Sequence, residues 1–262
     1  MKEPLILITN DDGYDAAGIQ ALAAAVRPLG DVIIVAPDGP RSGAAASITC
    51  TKPVSYHQIS SDTYACSGNP VDCVKLGLER IVPRYPDMLL SGINHGDNAS
   101  ISVHYSGTMG AVFEGCMKGI PSIGLSLYLK RGQRYEDHPV GQDTLDEIGL
   151  FCQSILQQGL PRDVCLNVNI PTDMPFGGWR VCRQARGSWS AEWEPAEKES
   201  QIELCRAFHL TGTFTDLEPQ ATDTDFAALR AGFCSVVPVT VDTTAHHAIE
   251  LIVERLERKG RK

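Results

Sequence analysis

Short apolar runs alternate with amphipathic stretches through the first two thirds of the chain. Leu5–Thr9 is apolar at consecutive positions rather than alternate ones, the pattern of a strand buried on both faces. Asp15–Leu29 follows, with Ile19, Leu22, Ala23 and Val26 at helical spacing and Gly30 as its stop. Val32–Ala36 reads as a second buried strand. Ser47–Ala65 is polar and β-branched with turn signals, as one or two hairpins would be. Pro70 opens a helix at its first turn, with Val74, Leu78 and Ile81 on one face. Met88–Ser91 is then a strand, Gly107–Lys118 a helix, Pro121–Leu127 a strand, Asp143–Gln158 a helix and Val164–Ile170 a strand. This β-α-β-α rhythm predicts an α/β fold with a mostly parallel sheet and helices on both faces.

From about Phe176 the rhythm breaks. Trp179–Pro219 mixes Trp, Thr and charged residues with weak periodicity, as an extended hairpin or arm would. With Trp179, Trp189 and Trp193 on it, such an arm suits packing against a partner subunit. A surface excursion of the same domain fits equally well. Cys234–Val241 returns to strand character, and Ala245–Leu256 places Ile249, Ile252, Val253 and Leu256 on one helical face. The basic tail Arg255–Lys262 favours a helix C-terminus.

Composition narrows the function. At 262 residues, 43% hydrophobic and 21% charged, the chain is globular and long enough for a large core. A net charge of −9 excludes a non-specific nucleic-acid surface, which needs clustered positive charge. Nine cysteines without C-x-x-C spacing lie mainly in apolar segments (Cys66, Cys116, Cys152, Cys165, Cys234), which suits reduced, buried thiols. A strand begins almost at once, leaving no room for a signal peptide, and no apolar run reaches membrane-spanning length. These features predict a soluble cytoplasmic protein that contacts no membrane.

The candidate chemistry lies after the strands. Thr9–Gly13, Pro37–Gly43 and Ser91–Asn98 are polar, turn-rich and expected at the carboxyl edge of the sheet, where such folds bind ligands. They bring Asp11, Asp12, Ser42, Asn94 and Asn98, a set of hard oxygen donors. Adjacent carboxylates repel, so they require a counter-ion or a proton. With no paired His or Cys, the set suits Mg²⁺ or Mn²⁺ rather than zinc. The plainer alternative is an Asp that caps the helix starting near Ala16. Tyr105-Ser106-Gly107-Thr108-Met109-Gly110 combines glycines and hydroxyls ahead of a helix. That suits a phosphate, or simply an N-cap followed by close helix packing. Cation and phosphate cradle together predict phosphoryl transfer, the cation neutralising phosphoryl charge and activating a water. His95 and His104 are candidate acids or solvent-facing loop residues, and Arg41 a phosphate contact or a solvated loop residue. No G-x-G-x-x-G follows the first strand, which excludes a nicotinamide-dependent dehydrogenase.

Five segments carry a resemblance. Ile8-Thr9-Asn10-Asp11-Asp12-Gly13, Ala36-Pro37 with Ser42-Gly43, Gly68-Asn69-Pro70-Val71-Asp72-Cys73-Val74, Ser91-Gly92-Ile93-Asn94 with Gly96 and Asn98, and Tyr105-Ser106-Gly107-Thr108 with Gly110-Ala111 occur in an order that resembles SurE, the survival protein E family of 5′-nucleotidases. The likeness resumes from Thr224-Asp225 to Pro238. It implies a Rossmann-like core over residues 1–130 and a smaller part over 131–262. That smaller part completes the sheet, with an oligomerisation hairpin at about 178–225 and a C-terminal helix.

The resemblance also implies a phosphatase of nucleoside 5′-monophosphates, assembled as a homodimer or homotetramer with one Mg²⁺ or Mn²⁺ per subunit. Asp11, Asp12, Ser42 and Asn94 fall on the metal positions, with Asp11, Asp12 and Asn94 catalytic. Asn10, Ser106, Gly107 and Thr108 fall on the phosphate side, and Arg41, His95 and Asn98 are possible substrate contacts. Attack by an activated water is expected over an aspartyl-phosphate route. The haloacid-dehalogenase type of the latter needs Asp-x-Asp, whereas these carboxylates are adjacent. The alternatives are a broader phosphomonoesterase acting on 3′-nucleotides or short polyphosphate, and a non-catalytic nucleotide-binding protein. The chain departs from the family pattern at Asp223, usually Gly, and across Trp179–Pro219.

Overall fold

A computed structural model describes residues 3–129, 133, 135–172, 174–196 and 207–258. In chain order the elements are β1 (Leu5–Thr9), α1 (Ala17–Val26), β2 (Asp31–Pro37), β3 (Tyr56–Gln58), β4 (Thr63–Cys66), α2 (Pro70–Leu76), β5 (Met88–Asn94), α3 (Gly107–Met117), β6 (Ser122–Tyr128), α4 (Gln142–Gln158) and β7 (Val164–Pro171). They continue with β8 (Trp179–Val181), β9 (Gly187–Ser190), β10 (Trp193–Pro195), β11 (Phe208–Leu210), β12 (Thr213–Asp216), α5 (Asp225–Arg230), β13 (Cys234–Thr240) and α6 (Ile249–Arg258).

Nine strands form one sheet in the order β3-β4-β2-β1-β5-β6-β7-β13-β8. The pairings from β4 through β7 are parallel, and β3 and β13 run antiparallel to their neighbours β4 and β7. The continuous apolar run of β1 has a two-sided use. Ile6 and Ile8 join α1 and α4 in one core, while Leu7 joins α2 and α3 in the other. Each such side chain contributes roughly 1.5–3 kcal/mol on burial, enough to fix β1 at the centre. From β1 the chain winds outward to β2 and then returns to β5 on the opposite side. The carboxyl ends of β1 and β5 therefore flank a switch point, where open α/β sheets place their ligands.

Several elements differ from the sequence pattern. β5 runs on to Asn94, because the ladder to β6 slips at a bulge after Ser91 and resumes at Asn94↔Ser126. Trp179 belongs to β8 in the main sheet rather than to the arm. Its ring stacks on Phe151 of α4 at 4.6 Å, and that packing outweighs its weakly patterned context. The arm is accordingly narrower than 178–225. It comprises the ladders β9–β12 and β10–β11; residues 197–206 of the connection from β10 to β11 lie outside the described residues. α5 was not anticipated; six residues are too few for a periodic signal, but the Thr224 hydroxyl caps it by accepting the Ala227 N–H at 3.2 Å.

Candidate metal and phosphate site

The predicted loops converge. The Arg41 N–H donates to the Asp11 carbonyl at 2.7 Å, which ties the loop after β2 to the loop after β1. The His95 N–H donates to Asp12 Oδ2 at 3.3 Å, joining the loop after β5. The Thr108 hydroxyl donates to Asp11 Oδ1 at 2.6 Å and brings in the first turn of α3. α3 comes this close because residue 107 is glycine: a Cβ there would lie 2.9 Å from the Asp11 Cβ.

The electrostatics follow from burial. Asp11 is 5% exposed, and desolvation pushes its carboxyl up to about 6 against the opposing bond from Thr108. Burial likewise raises Asp12, with the His95 ring, 3.8 Å away at Nδ1, drawing it down. No Lys or Arg is paired with either carboxylate among the described residues. Asn94 donates its amide nitrogen to the Gly96 carbonyl at 2.7 Å, which leaves its amide oxygen, a hard donor, for a ligand.

Asp11, Asp12, Ser42 and Asn94 line one cleft of about 580 Å³, inside the range of roughly 300–1,000 Å³ usual for small-molecule sites. His95, Asn98 and Ser106 line it too. His95 stacks on Tyr135 at 4.5 Å, and its Nε2 is buried without a hydrogen-bond partner among the described residues. Asn98 is pinned by Ser126, Asn167 and Asn169, so β6 and β7 hold that edge of the cleft.

Other candidates sit differently. Asn10 is fully buried and exchanges two hydrogen bonds with the Gly13 backbone, at 2.8 and 3.1 Å, closing the β1 loop. Ser106 accepts from the Met109 N–H at 3.0 Å as the cap of α3. The Arg41 guanidinium is held by Asp38 at 2.6 Å and the residue is absent from the cleft wall. His104 is exposed and lines a separate groove.

The model of the survival protein SurE family matches residues 6–191, well over half of the chain. The chain belongs to the SurE family. A 5′-nucleotidase SurE of Phocaeicola vulgatus is 45% identical over 249 residues, covering 94% of each chain. Another, from Bacteroides fragilis, is 44% identical over 257 residues, 95% of this chain and 96% of that one. The crystal structure of the SurE protein from Aquifex aeolicus matches with a TM-score of 0.81 at 33% identity, covering 97% of this chain and 100% of that one.

The wall of this SurE cleft includes residues that sequence reasoning did not place there. Trp189, Glu192, Leu210 and Thr211 line it, together with Tyr105, which precedes the Ser106 cap of α3. All but Tyr105 come from the arm, so the arm faces its own subunit's cleft. No local signal announces that, because it depends on how β9 and β12 pack on the body. The SurE site fits a divalent cation. Two desolvated carboxylates with no Lys or Arg partner among the described residues line it with the neutral oxygen donors Ser42 and Asn94, a hard donor set.

Proposed function

We propose that this SurE chain is a 5′-nucleotidase that hydrolyses nucleoside 5′-monophosphates to nucleoside and phosphate. The observation that carries the reading is the Asp11–Asp12 pair, desolvated, with no Lys or Arg partner among the described residues, lining one cleft and tied to the first turn of α3 by Thr108. Asp11, Asp12, Ser42 and Asn94 would hold one Mg²⁺ or Mn²⁺ per subunit, which when bound would neutralise charge on the phosphoryl oxygens and lower the pKa of a water. Thr108 orients Asp11, and Ser106 fixes the start of α3. Gly107 and Thr108 form the first turn of α3 behind Ser106, the residue through which that helix start reaches the cleft, and the positive end of the helix favours the phosphate there. Asn10 acts by shaping the β1 loop, and His95 stands beside Asp12 to move a proton to or from the ester. Residues 1–130 carry the chemistry, and 131–262 complete the sheet and serve assembly.

The family supports this reading, since the relatives named above are 5′-nucleotidases. Among the described residues eight cysteines are free thiols, five of them the ones singled out as apolar, which favours the cytoplasm. No helix among the described residues is long and apolar enough to cross a membrane. Half-exposed Ile249, Ile252 and Val253 on α6 favour a homodimer or homotetramer.

Phosphate release from AMP, GMP, a 3′-nucleotide and a short polyphosphate, each with Mg²⁺ and Mn²⁺, tests the reading. The 5′-nucleotides are expected to be cleaved fastest. Asp11→Asn and Asp12→Asn are each expected to lose at least about a hundredfold in kcat, as when charge-stabilising groups are removed elsewhere. Their Tm should stay within a few degrees, because each substitution also removes a desolvated charge. Full activity in both variants, or in excess EDTA, would overturn the mechanism. Release from none of the substrates would leave a nucleotide-binding protein.

A further inference from the structure

The cleft has two unlike ends. Oxygen donors from the strand-end loops belong to one, and where the arm borders the cleft its side chains form a wall. That wall is built in layers. Trp189 of β9 pairs across the ladder with Phe214 of β12, and their rings meet edge to face with centroids 5.4 Å apart. Phe214 in turn packs on Phe226 of α5 at 5.2 Å. At the turn after β9, the Thr211 N–H donates to the Glu192 carbonyl at 2.7 Å. Gly212 lies beneath both side chains at φ +139°. A Cβ there would stand 3.0 Å from Trp189 Cε3 and 3.5 Å from Glu192 Cγ, so glycine lets the indole and the glutamate stem sit side by side. The Glu192 carboxylate has no hydrogen-bond or ionic partner among the described residues, and Tyr105 is 59% exposed in the same cleft.

We propose that this end is the nucleobase subsite and that it selects guanine: Trp189 and Tyr105 supply aromatic faces, and Glu192 accepts from the base edge. The inference rests on the nucleotidase reading and deepens it. Aromatic faces take any base, because every base has a π face. The carboxylate is what discriminates. It offers two acceptors and no donor. The Watson–Crick edge of guanine presents two neighbouring donors, N1–H and the 2-amino group, which satisfy both oxygens together. Adenine and cytosine each present a donor beside an acceptor. Uracil presents one donor flanked by two carbonyls, which a carboxylate repels. Hypoxanthine keeps N1–H but lacks the 2-amino group, so it falls between guanine and adenine.

The test is kcat/KM for phosphate release from GMP, IMP, AMP and UMP, each taken relative to ribose 5-phosphate, which has no base. Wild type is expected in the order GMP, IMP, AMP, with GMP over AMP by about tenfold, as for one good bidentate pair. Glu192→Gln offers one acceptor and one donor, which matches adenine, and should reverse the order of GMP and AMP. Trp189→Leu should lower all nucleotides relative to ribose 5-phosphate while keeping their order. Ratios within one variant are independent of the folded fraction. Should Glu192→Gln yield no folded protein, Glu192→Asp, which withdraws the carboxylate, should shrink the GMP preference. An active wild type with no GMP preference, or a GMP:AMP ratio unmoved in the Glu192 variants, overturns the subsite and leaves the nucleotidase reading intact. No release from any nucleotide overturns both.

Discussion

Burial, more than charge pairing, sets the behaviour of the acidic residues around the cleft. Asp97, in the loop after β5, is pushed up to about 6 by desolvation, against the hydrogen bond it accepts from the Ala99 N–H at 3.1 Å. Between the ordinary carboxylate value near 3.8 and about 6, the folded chain binds more protons there than the unfolded chain. Stability therefore falls as pH rises through that window, and the penalty is absent below it. Asp97→Asn keeps the acceptor oxygen and removes the charge. The variant is expected to be more stable than wild type at pH 7.5, by about 1–2 kcal/mol after allowance for solvent screening, with little difference at pH 4.5. Urea unfolding at the two pH values without divalent ions measures this; an equal difference at both would exclude the charge as its cause. Asp11 and Asp12 share the same cost, which is why a cation rather than a proton suits them near neutral pH.

At the scale of elements, the site is a meeting of strand ends with one helix start. The adjacent carboxylates were legible because they end an apolar run, and α3 because Ser106 precedes glycines and hydroxyls. Their contact was not legible, since residues 11 and 107 are far apart in sequence. Gly107 makes that approach possible, and it gives a sharp expectation. Gly107→Ala should push α3 away from Asp11 and lower kcat/KM about tenfold or more, as a displacement of catalytic groups by an ångström can. The accompanying fall in Tm should be only a few degrees. Unchanged kinetics with a normal Tm would mean that the helix start has no part in the reaction. α5 carries a similar link: Asp225 accepts from the Ser100 and Ala185 N–H groups at 2.7 and 3.0 Å, joining the segment after the third loop to the root of the arm. Six residues of helix gave the sequence no pattern to read.

For the whole molecule, α6 is an element that keeps a row of apolar side chains exposed. It is ten residues long, and Leu251 and Leu256 are exposed along with the Ile and Val positions already named. A helix this short is marginal in water without a packed face, so a second copy covering it is the economical arrangement. Light scattering at micromolar concentration is expected to return a dimeric or tetrameric mass. Ile252→Glu combined with Leu256→Glu should reduce it. A monomeric wild type would remove the case for assembly. The arm also walls its own subunit's cleft through Trp189 and Glu192, while Trp193, 64% exposed, is not part of that wall.

The sequence alone determined what depends on neighbours in the chain. Continuous apolar runs fixed the buried strands, 3.6-residue periodicity fixed α1 and α2, and the chemistry of Asp11-Asp12, Asn94 and Ser106 was readable beside them. Ordered motifs extended that reading to the family. Only the tertiary structure decided which donors remain free for a ligand: Asn94 keeps its amide oxygen, whereas Asn10 and Arg41 are occupied by Gly13 and Asp38. It also moved Trp179 into the sheet and Trp189 into the cleft. These outcomes turn on contacts between residues remote in sequence, where packing and hydrogen-bond competition, not local pattern, choose the partner.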